Sequence, residues 1–273
     1  MNFVIQITQN EFDRLAKHIH SNYGIQLKNE KKALVIGRLQ NVLTQMNFNS
    51  FSEYCDYVLA DKTGEAAVTL MNRITTNHTF FMREPDHFDY FRDAVLPYLK
   101  GASAERDLRI WSAGCSSGEE PYTIAMIIDT FFGREKPLWD TKLLATDISE
   151  KMLDKARAGV YPNSGIAALP YNWKLSYFRP RDSASSAVRD QIRQEVIFRR
   201  FNLMSPFRFR KKFHAIFCRN VMIYFDEKTR RELVNKFYDA TESGGYLFVG
   251  HSEPLSRELT AYQYVMPAVY RKQ

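Results

Sequence analysis

Apolar positions recur at helical spacing through the first quarter of the chain. From about residue 107 they give way to short apolar runs that alternate with helical stretches. Phe12, Leu15, Ile19 and Tyr23 predict a first helix, opened by Thr8 with Glu11 three residues on, a capping-box pairing, and stopped by Gly24. A second helix is expected over roughly 29–46, with Leu34, Leu39, Val42 and Leu43 facing inward. A third, Phe51–Leu59, follows the turn and cap residues Asn49 and Ser50, and a fourth runs from about Glu65 to Ile74. Residues 1–75 hold no catalytic set and read as a helical recognition domain. Residues 76–100 form a junction, where Thr, Asn and Pro break the periodicity before a helix from Asp86 to Leu99.

Residues 101–273 read as an α/β domain. Strands are expected at 108–112, at 142–146 ending on Asp147, at Phe213–Cys218 and at Tyr246–Val249, with Val265–Tyr270 as the final edge. Helices are expected at 119–132, from Glu150 to Ala158 behind Ser149, and from the cap Asp226 to about Ala240, with a tight turn at Gly244-Gly245. Alternation of this kind implies a parallel sheet covered on both faces. Residues 160–212 interrupt it. Tyr177–Arg179, Gln191–Arg193 and Val196–Phe201 read as short strands of a small antiparallel insert, with a polar loop from Asp182 to Ser186.

Composition adds a location to the charge. Hydrophobic residues make up 45% and charged residues 25% of 273, a globular profile, and the formal charge is +7. Between 170 and 212 stand eleven Lys or Arg residues against Asp182, Asp190 and Glu195, a surplus of +8. The excess is therefore local, and a basic flap of this kind would steer an acidic substrate. Lys28, Lys31, Lys32 and Arg38 are a second basic group, either a solvated helix face or a docking face for an acidic helical partner. Cys55, Cys115 and Cys218 are too few and too scattered for a disulfide framework or a metal cluster, so no metal is expected and a reducing, cytoplasmic setting fits. The N-terminus lacks the pattern of a signal peptide, and no apolar run approaches the ~20 residues that span a bilayer.

The candidate chemistry gathers on Arg109–Tyr122. It reads as a strand end, a turn in which Ala113–Gly118 carry nothing larger than Cys, and a helix start with Pro121 in its first turn. Strand, small-residue loop and helix N-terminus together make a nucleotide-binding corner, and Asp147 ends the next strand where an acid grips ribose hydroxyls. Against the dinucleotide glycine pattern, Ala113 and Cys115 replace two glycines and only Gly118 remains. Glu119 and Glu120 would repel a pyrophosphate at the helix start. A ribose, a sulfonium and an amino-acid end suit this loop better, which points to S-adenosylmethionine.

Five ordered segments, Asn77–Glu84, Trp111–Tyr122, Ala145–Ile148, Cys218–Phe225 and Gly250–Glu253, resemble the chemotaxis receptor methyltransferases, CheR-type protein-glutamate O-methyltransferases. The resemblance implies a Rossmann-like methyltransferase sheet with a small antiparallel insert and an N-terminal all-α domain. It implies methylation of glutamates on the cytoplasmic helical domain of methyl-accepting chemotaxis receptors, giving glutamyl methyl esters and S-adenosylhomocysteine. By the same resemblance Asn77, Thr79 and Arg83 line the site. Ala113, Gly114, Glu119 or Glu120, Asp147, Ile148, Asn202, Leu203, Cys218, Arg219 and Asn220 surround the cofactor, and Arg83 and Tyr224 orient the substrate. Arg179 and Arg181, with the basic group at 28–38, would meet the receptor. Pro180–Asp190 lacks the glycine usual in members that tether to a receptor C-terminal peptide, so direct docking is expected. A carboxylate of reference pKa about 4.3 is ionised at neutral pH, so no general base is needed. The alternatives are a cofactor-binding scaffold without turnover and a nucleic-acid methyltransferase. The second is disfavoured, because no Asn/Asp-Pro-Pro-aromatic run and no aromatic stacking platform accompanies the basic pairs. A monomer with no nucleic acid and no membrane insertion is expected.

Overall fold

A computed structural model describes residues 5–74, 78–103, 105–258 and 260–273. The chain divides into two compact units, Met1–His78 with Tyr224–Arg230, and Thr79–Ile223 with Arg231–Gln273.

The first unit is helical. α1 (Gln9–Tyr23) carries the full capping box, the Thr8 side chain accepting from the Glu11 N–H and the Glu11 carboxylate accepting from the Thr8 N–H, and it ends on left-handed Gly24. α2 (Lys32–Gln45) follows a single tight turn at Asn29–Lys31. α3 (Phe51–Ala60) is capped by the Ser50 hydroxyl, and α4 spans Glu65–Ile74. One inward residue of α2 differs from expectation. Leu34 is 40% exposed and Val35 is buried, because 35, 39, 42 and 43 share one helical face and 34 lies a residue off it. Each such buried side chain contributes roughly 1.5–3 kcal/mol. Residues 224–230 join this unit through Gln26, whose N–H donates to the Tyr224 carbonyl at 2.8 Å, and through His20 and Asp226, 2.6 Å apart.

The second unit begins with α5 (Pro85–Tyr90), a π turn at Phe91–Val95 and α6 (Leu96–Ala102) in one run. Pro97 has no N–H for the Asp93 carbonyl, and the wider turn just before it absorbs that mismatch. The main elements are β1 (Ile110–Ala113), α7 (Glu119–Phe132), β2 (Leu143–Asp147), α8 (Glu150–Ala158), β3 (Val160–Pro162), α9 (Asn163–Ile166), α10 (Tyr171–Tyr177), β4 (Phe178–Pro180), β5 (Ser185–Val188), α11 (Asp190–Arg193), β6 (Val196–Arg200), β7 (Phe213–Cys218), α12 (Glu227–Ala240), β8 (Thr241–Val249), β9 (Gln263–Met266) and β10 (Val269–Arg271). They build a seven-stranded sheet in the order β6-β2-β1-β7-β8-β10-β9, in which only β10 runs against the others, and a three-stranded antiparallel sheet β3-β5-β4. Trp111, fully buried on β1, meets Phe207, Phe209, Phe213 and Phe237 edge-on or tilted, and its indole N–H donates to the Thr146 hydroxyl at 2.9 Å.

The fold class stands, and the differences lie in and around the insert. Gln191–Arg193 is helical, not a strand. Val196–Arg200 pairs in parallel with β2 and closes the main sheet rather than joining the insert. The expected polar loop from Asp182 holds the start of β5, because Asp182 accepts the N–H groups of Ala184 and Ser185 and completes the turn in two residues. Gly244-Gly245 lies inside β8, at a register shift against β7, and the last edge is a hairpin of β9 and β10.

Candidate functional site

The carboxyl ends of β1, β2, β6 and β7 bring most of the expected residues together. β1 lies between β2 and β7, where connections leave in opposite directions, and such a point opens a crevice above the sheet. Past β1 the N–H groups of Gly114 and Cys115 both donate to the Thr146 carbonyl, at 2.8 and 2.9 Å, which turns the chain over the neighbouring strand. Gly114 and Gly118 have φ of +87° and +97°. A Cβ at Gly114 would overlap the Val221 side chain, and one at Gly118 would stand 2.8 Å from Ala156 Cβ. Asp147 faces this loop. Its two oxygens accept from Ser116 N–H at 2.8 Å and Ser149 N–H at 2.9 Å, and burial raises its pKa against those bonds. The Phe201 N–H donates to the Asp147 carbonyl, which places Asn202 and Leu203 beside the same strand end.

Arg219, just past β7, is the centre of charge. Its side chain is 2% exposed, and it donates to Glu84 at 3.1 Å, to Glu120 at 3.2 Å and to the carbonyl of Arg83. Its guanidinium also lies 4.9 Å from the Phe88 ring centroid. Ser112 donates to the second oxygen of Glu120 at 2.8 Å, and Asn220 donates to the second oxygen of Glu84 at 3.2 Å. The two carboxylates respond oppositely. Burial raises both, but at Glu84 the guanidinium and Asn220 outweigh it and the pKa falls, whereas Glu120 is more deeply enclosed and its pKa rises. Glu119, held by the Ser117 hydroxyl at 2.8 Å, is also raised by burial. Glu253, 1% exposed, accepts the N–H groups of Asn220, Ile223 and Gly250 at 2.6 to 2.9 Å and fixes the loops after β7 and β8.

Other expected residues fall as follows. Asn77 lies outside the described residues. Thr79 and Ile148 are half-buried. Arg83 is half-buried, with its guanidinium 5.9 Å from the Phe80 ring centroid, and its carbonyl is held by Arg219. Asn202 turns its side chain onto the Met204 N–H at 2.9 Å. The Cys115 and Cys218 thiols are buried, with pKa values pushed well up, and stay protonated. Tyr224 belongs to the first unit, where Lys31 Nζ stands 5.7 Å from its ring centroid. Within the basic group of that unit Lys28 is exposed, Lys32 reaches Gln9 at 3.3 Å, and Arg38 donates at 3.1 Å to the carbonyls of Arg73 and Ile74. Arg38 thus closes the end of α4, where cations suit the orphan carbonyls, rather than serving only as a docking charge. Arg179 and Arg181 are exposed on the insert.

Glu84 and Glu253 stand in quoted segments, but no spacing rule marked them as partners of Arg219 and Asn220, since those contacts join residues 33 to 135 positions apart. The rim suits the ligand named from the sequence. Glu84 and Glu120 share the guanidinium of Arg219, and Glu119 and Asp147 add two carboxylates at the loop after β1 and the end of β2, a balance that favours a cationic ligand with hydroxyls over an anionic one. The absence of a side chain at Gly114 leaves the backbone open to close approach.

Comparison with known proteins agrees along the whole chain. The family described as the CheR methyltransferase all-alpha domain matches residues 10–75, and the CheR methyltransferase SAM binding domain matches residues 77–270. A chemotaxis protein methyltransferase of Borreliella burgdorferi is 42% identical, covering 99% of this chain and 97% of the relative. A probable chemotaxis protein methyltransferase of Rhizobium etli is 36% identical, over 93% of this chain and 99% of its own. The chemotaxis protein methyltransferase Cher2 of Pseudomonas putida is 34% identical, over 93% and 94%.

Proposed function

The chain belongs to the CheR methyltransferase family and is an S-adenosylmethionine-dependent enzyme of chemotaxis, and from that premise we propose that it esterifies glutamate side chains on the cytoplasmic helices of chemoreceptors. The observation that carries the reading is the set of Glu84 and Glu120 on the buried Arg219, with Glu119 and Asp147 at the loop after β1 and the end of β2. S-adenosylmethionine supplies a methyl group made electrophilic by its sulfonium. Asp147 is placed to accept from ribose hydroxyls, since each of its oxygens keeps a lone pair beyond the bonds to Ser116 and Ser149. Glu119 and Glu120 offer negative charge to the cationic part of the cofactor, with Glu120 held in orientation by Ser112 and Arg219. Thr79, Ala113, Ile148, Leu203, Cys218 and Asn220 would shape the walls. Arg83 is the side chain for the substrate. Its planar fork can take a carboxylate in two parallel bonds, while Arg219 holds its backbone in place.

The glutamate needs no base, because it is ionised at neutral pH. Rate then comes from holding it in line with the methyl, which is worth about 7–11 kcal/mol of barrier when the geometry is good. Too strong a grip would quench the nucleophile, so positioning outweighs neutralisation. Lys28, Lys31 and Lys32 on the helical unit, with Arg179 and Arg181 on the insert, are the proposed contacts to the acidic receptor helices. Tyr224 is carried as a substrate-orienting residue on the family resemblance.

A filter assay with tritiated cofactor tests the reading. Label should enter a receptor cytoplasmic fragment, as base-labile ester, and should not enter DNA or RNA. Label in nucleic acid alone would overturn it, and cofactor binding with no label in any receptor of the host would favour a scaffold.

A further inference from the structure

Beside the clasp of Arg219 lies a histidine pair that the methyl-transfer reading leaves without work. Glu84, His87 and His251 each place one ligand atom so that all lie within 4.8 Å of one another. His87 is 0% exposed, and neither of its ring nitrogens has a hydrogen-bond partner among the described residues. Leaving a buried polar group unpaired costs about 1–3 kcal/mol, so such a ring calls for a physical reason. Its Nδ1 stands 3.5 Å from Glu84 Oε2, and its ring centroid is 4.6 Å from that of His251. His251 is reachable from solvent, its side chain 42% exposed, and its Nε2 lies 3.1 Å from Asp86 Oδ2.

We propose that Glu84, His87 and His251 form a binding site for a divalent transition ion, zinc by preference. Two imidazoles and one carboxylate, with a fourth position left to water, are a three-ligand set that zinc accepts. With bonds of about 2.1 Å, ligand atoms of a tetrahedral shell lie roughly 3.4 Å apart. The His87–Glu84 separation of 3.5 Å already has that value, and the exposed His251 is the ligand free to adjust. Asp86 completes the arrangement. It takes one ring nitrogen of His251, which fixes the tautomer and leaves the other nitrogen for the ion, as carboxylates do behind metal-bound histidines. Hard ions such as magnesium are poorly served by two imidazoles. An ion drawing on Glu84 Oε2 also competes with Arg219, which holds the same oxygen at 3.1 Å.

Calorimetric titration of the chelator-stripped full chain with zinc chloride should show one ion per chain. His251→Gln, a change at an exposed residue, should weaken binding at least about tenfold. The melting temperature without metal should stay unchanged. Cobalt(II) in place of zinc should give the visible absorption of a low-symmetry, four- or five-coordinate site, lost in His251→Gln. His18→Gln, on the helical unit, should bind zinc like the parent. Either no one-to-one binding in the parent, or equal affinity in folded His251→Gln, overturns the proposal.

Discussion

Arg219 shows how much of a site can hang on one side chain. With its guanidinium removed, Glu84 and Glu120 lose their shared cation while still enclosed, and breaking a buried pair in this way costs about 3–5 kcal/mol. Arg219→Met should lower the unfolding free energy, read from urea titration, by that amount and weaken cofactor binding together. Arg83→Ala should separate the two functions. Cofactor affinity, read by calorimetry, should stay within about threefold, while kcat on receptor falls by two orders of magnitude or more. Retention of full turnover would remove Arg83 from its proposed role. A pH effect follows from His214. Burial lowers its pKa first, with Arg109 adding to the shift, and the backbone N–H of Arg109 donates to its Nδ1 at 3.0 Å, so a proton there has no place. The folded pKa lies below the unfolded one. Stability is therefore full above the ordinary histidine value of about 6.5 and declines as pH falls through the interval down to the folded value. His214→Gln should flatten that slope in urea titrations across this range.

At the level of elements, regular periodicity was readable and exceptions were not. α4, α7 and α8 begin and end where their caps and apolar stripes predict. The capping box of α1 was legible from Thr8 and Glu11 alone, and Thr8→Ala should cost about 1 kcal/mol, seen as a lower melting temperature. Gln191–Arg193 misleads because one apolar residue between two polar ones fits a strand and a single helical turn equally well, and only the packing of buried Ile192 decides. Val196–Phe198 is apolar enough for a strand, but its choice of β2 as partner is a long-range matter that local pattern does not carry. In the candidate site the loop after β1 and the acid after β2 were legible because turn chemistry and strand ends are local. The bonds from Arg219 to Glu84 and from Glu253 to Asn220 were not, because they join distant segments. The β4–β5 turn is built by Asp182 without a glycine, and this fits the proposal that receptor docking is direct. Deleting the receptor's C-terminal peptide should then leave its methylation rate within about twofold.

For the whole molecule the distribution of charge matters more than its total. The stretch 170–212 alone carries +8, but six of its eleven cations stand on or after β6, in the main sheet rather than the insert, while the rim of the candidate crevice is acidic. Salt should therefore act on the two ligands differently. Raising ionic strength from 0.05 to about 0.5 M shortens the Debye length severalfold, so KM for receptor should climb steeply while cofactor affinity changes little. No helix among the described residues is long and apolar enough to cross a membrane. Glu253 has a consequence of another kind. Its one carboxylate collects the N–H groups of residues 220, 223 and 250, which sit in connections between the main elements, 223 in a single 3-10 turn at Met222–Tyr224. Amides in such connections ordinarily trade their protons with solvent within moments. Here all three should keep them about as long as the strands do, and should surrender them together in Glu253→Gln, as one small cooperative unit clasped by a single side chain.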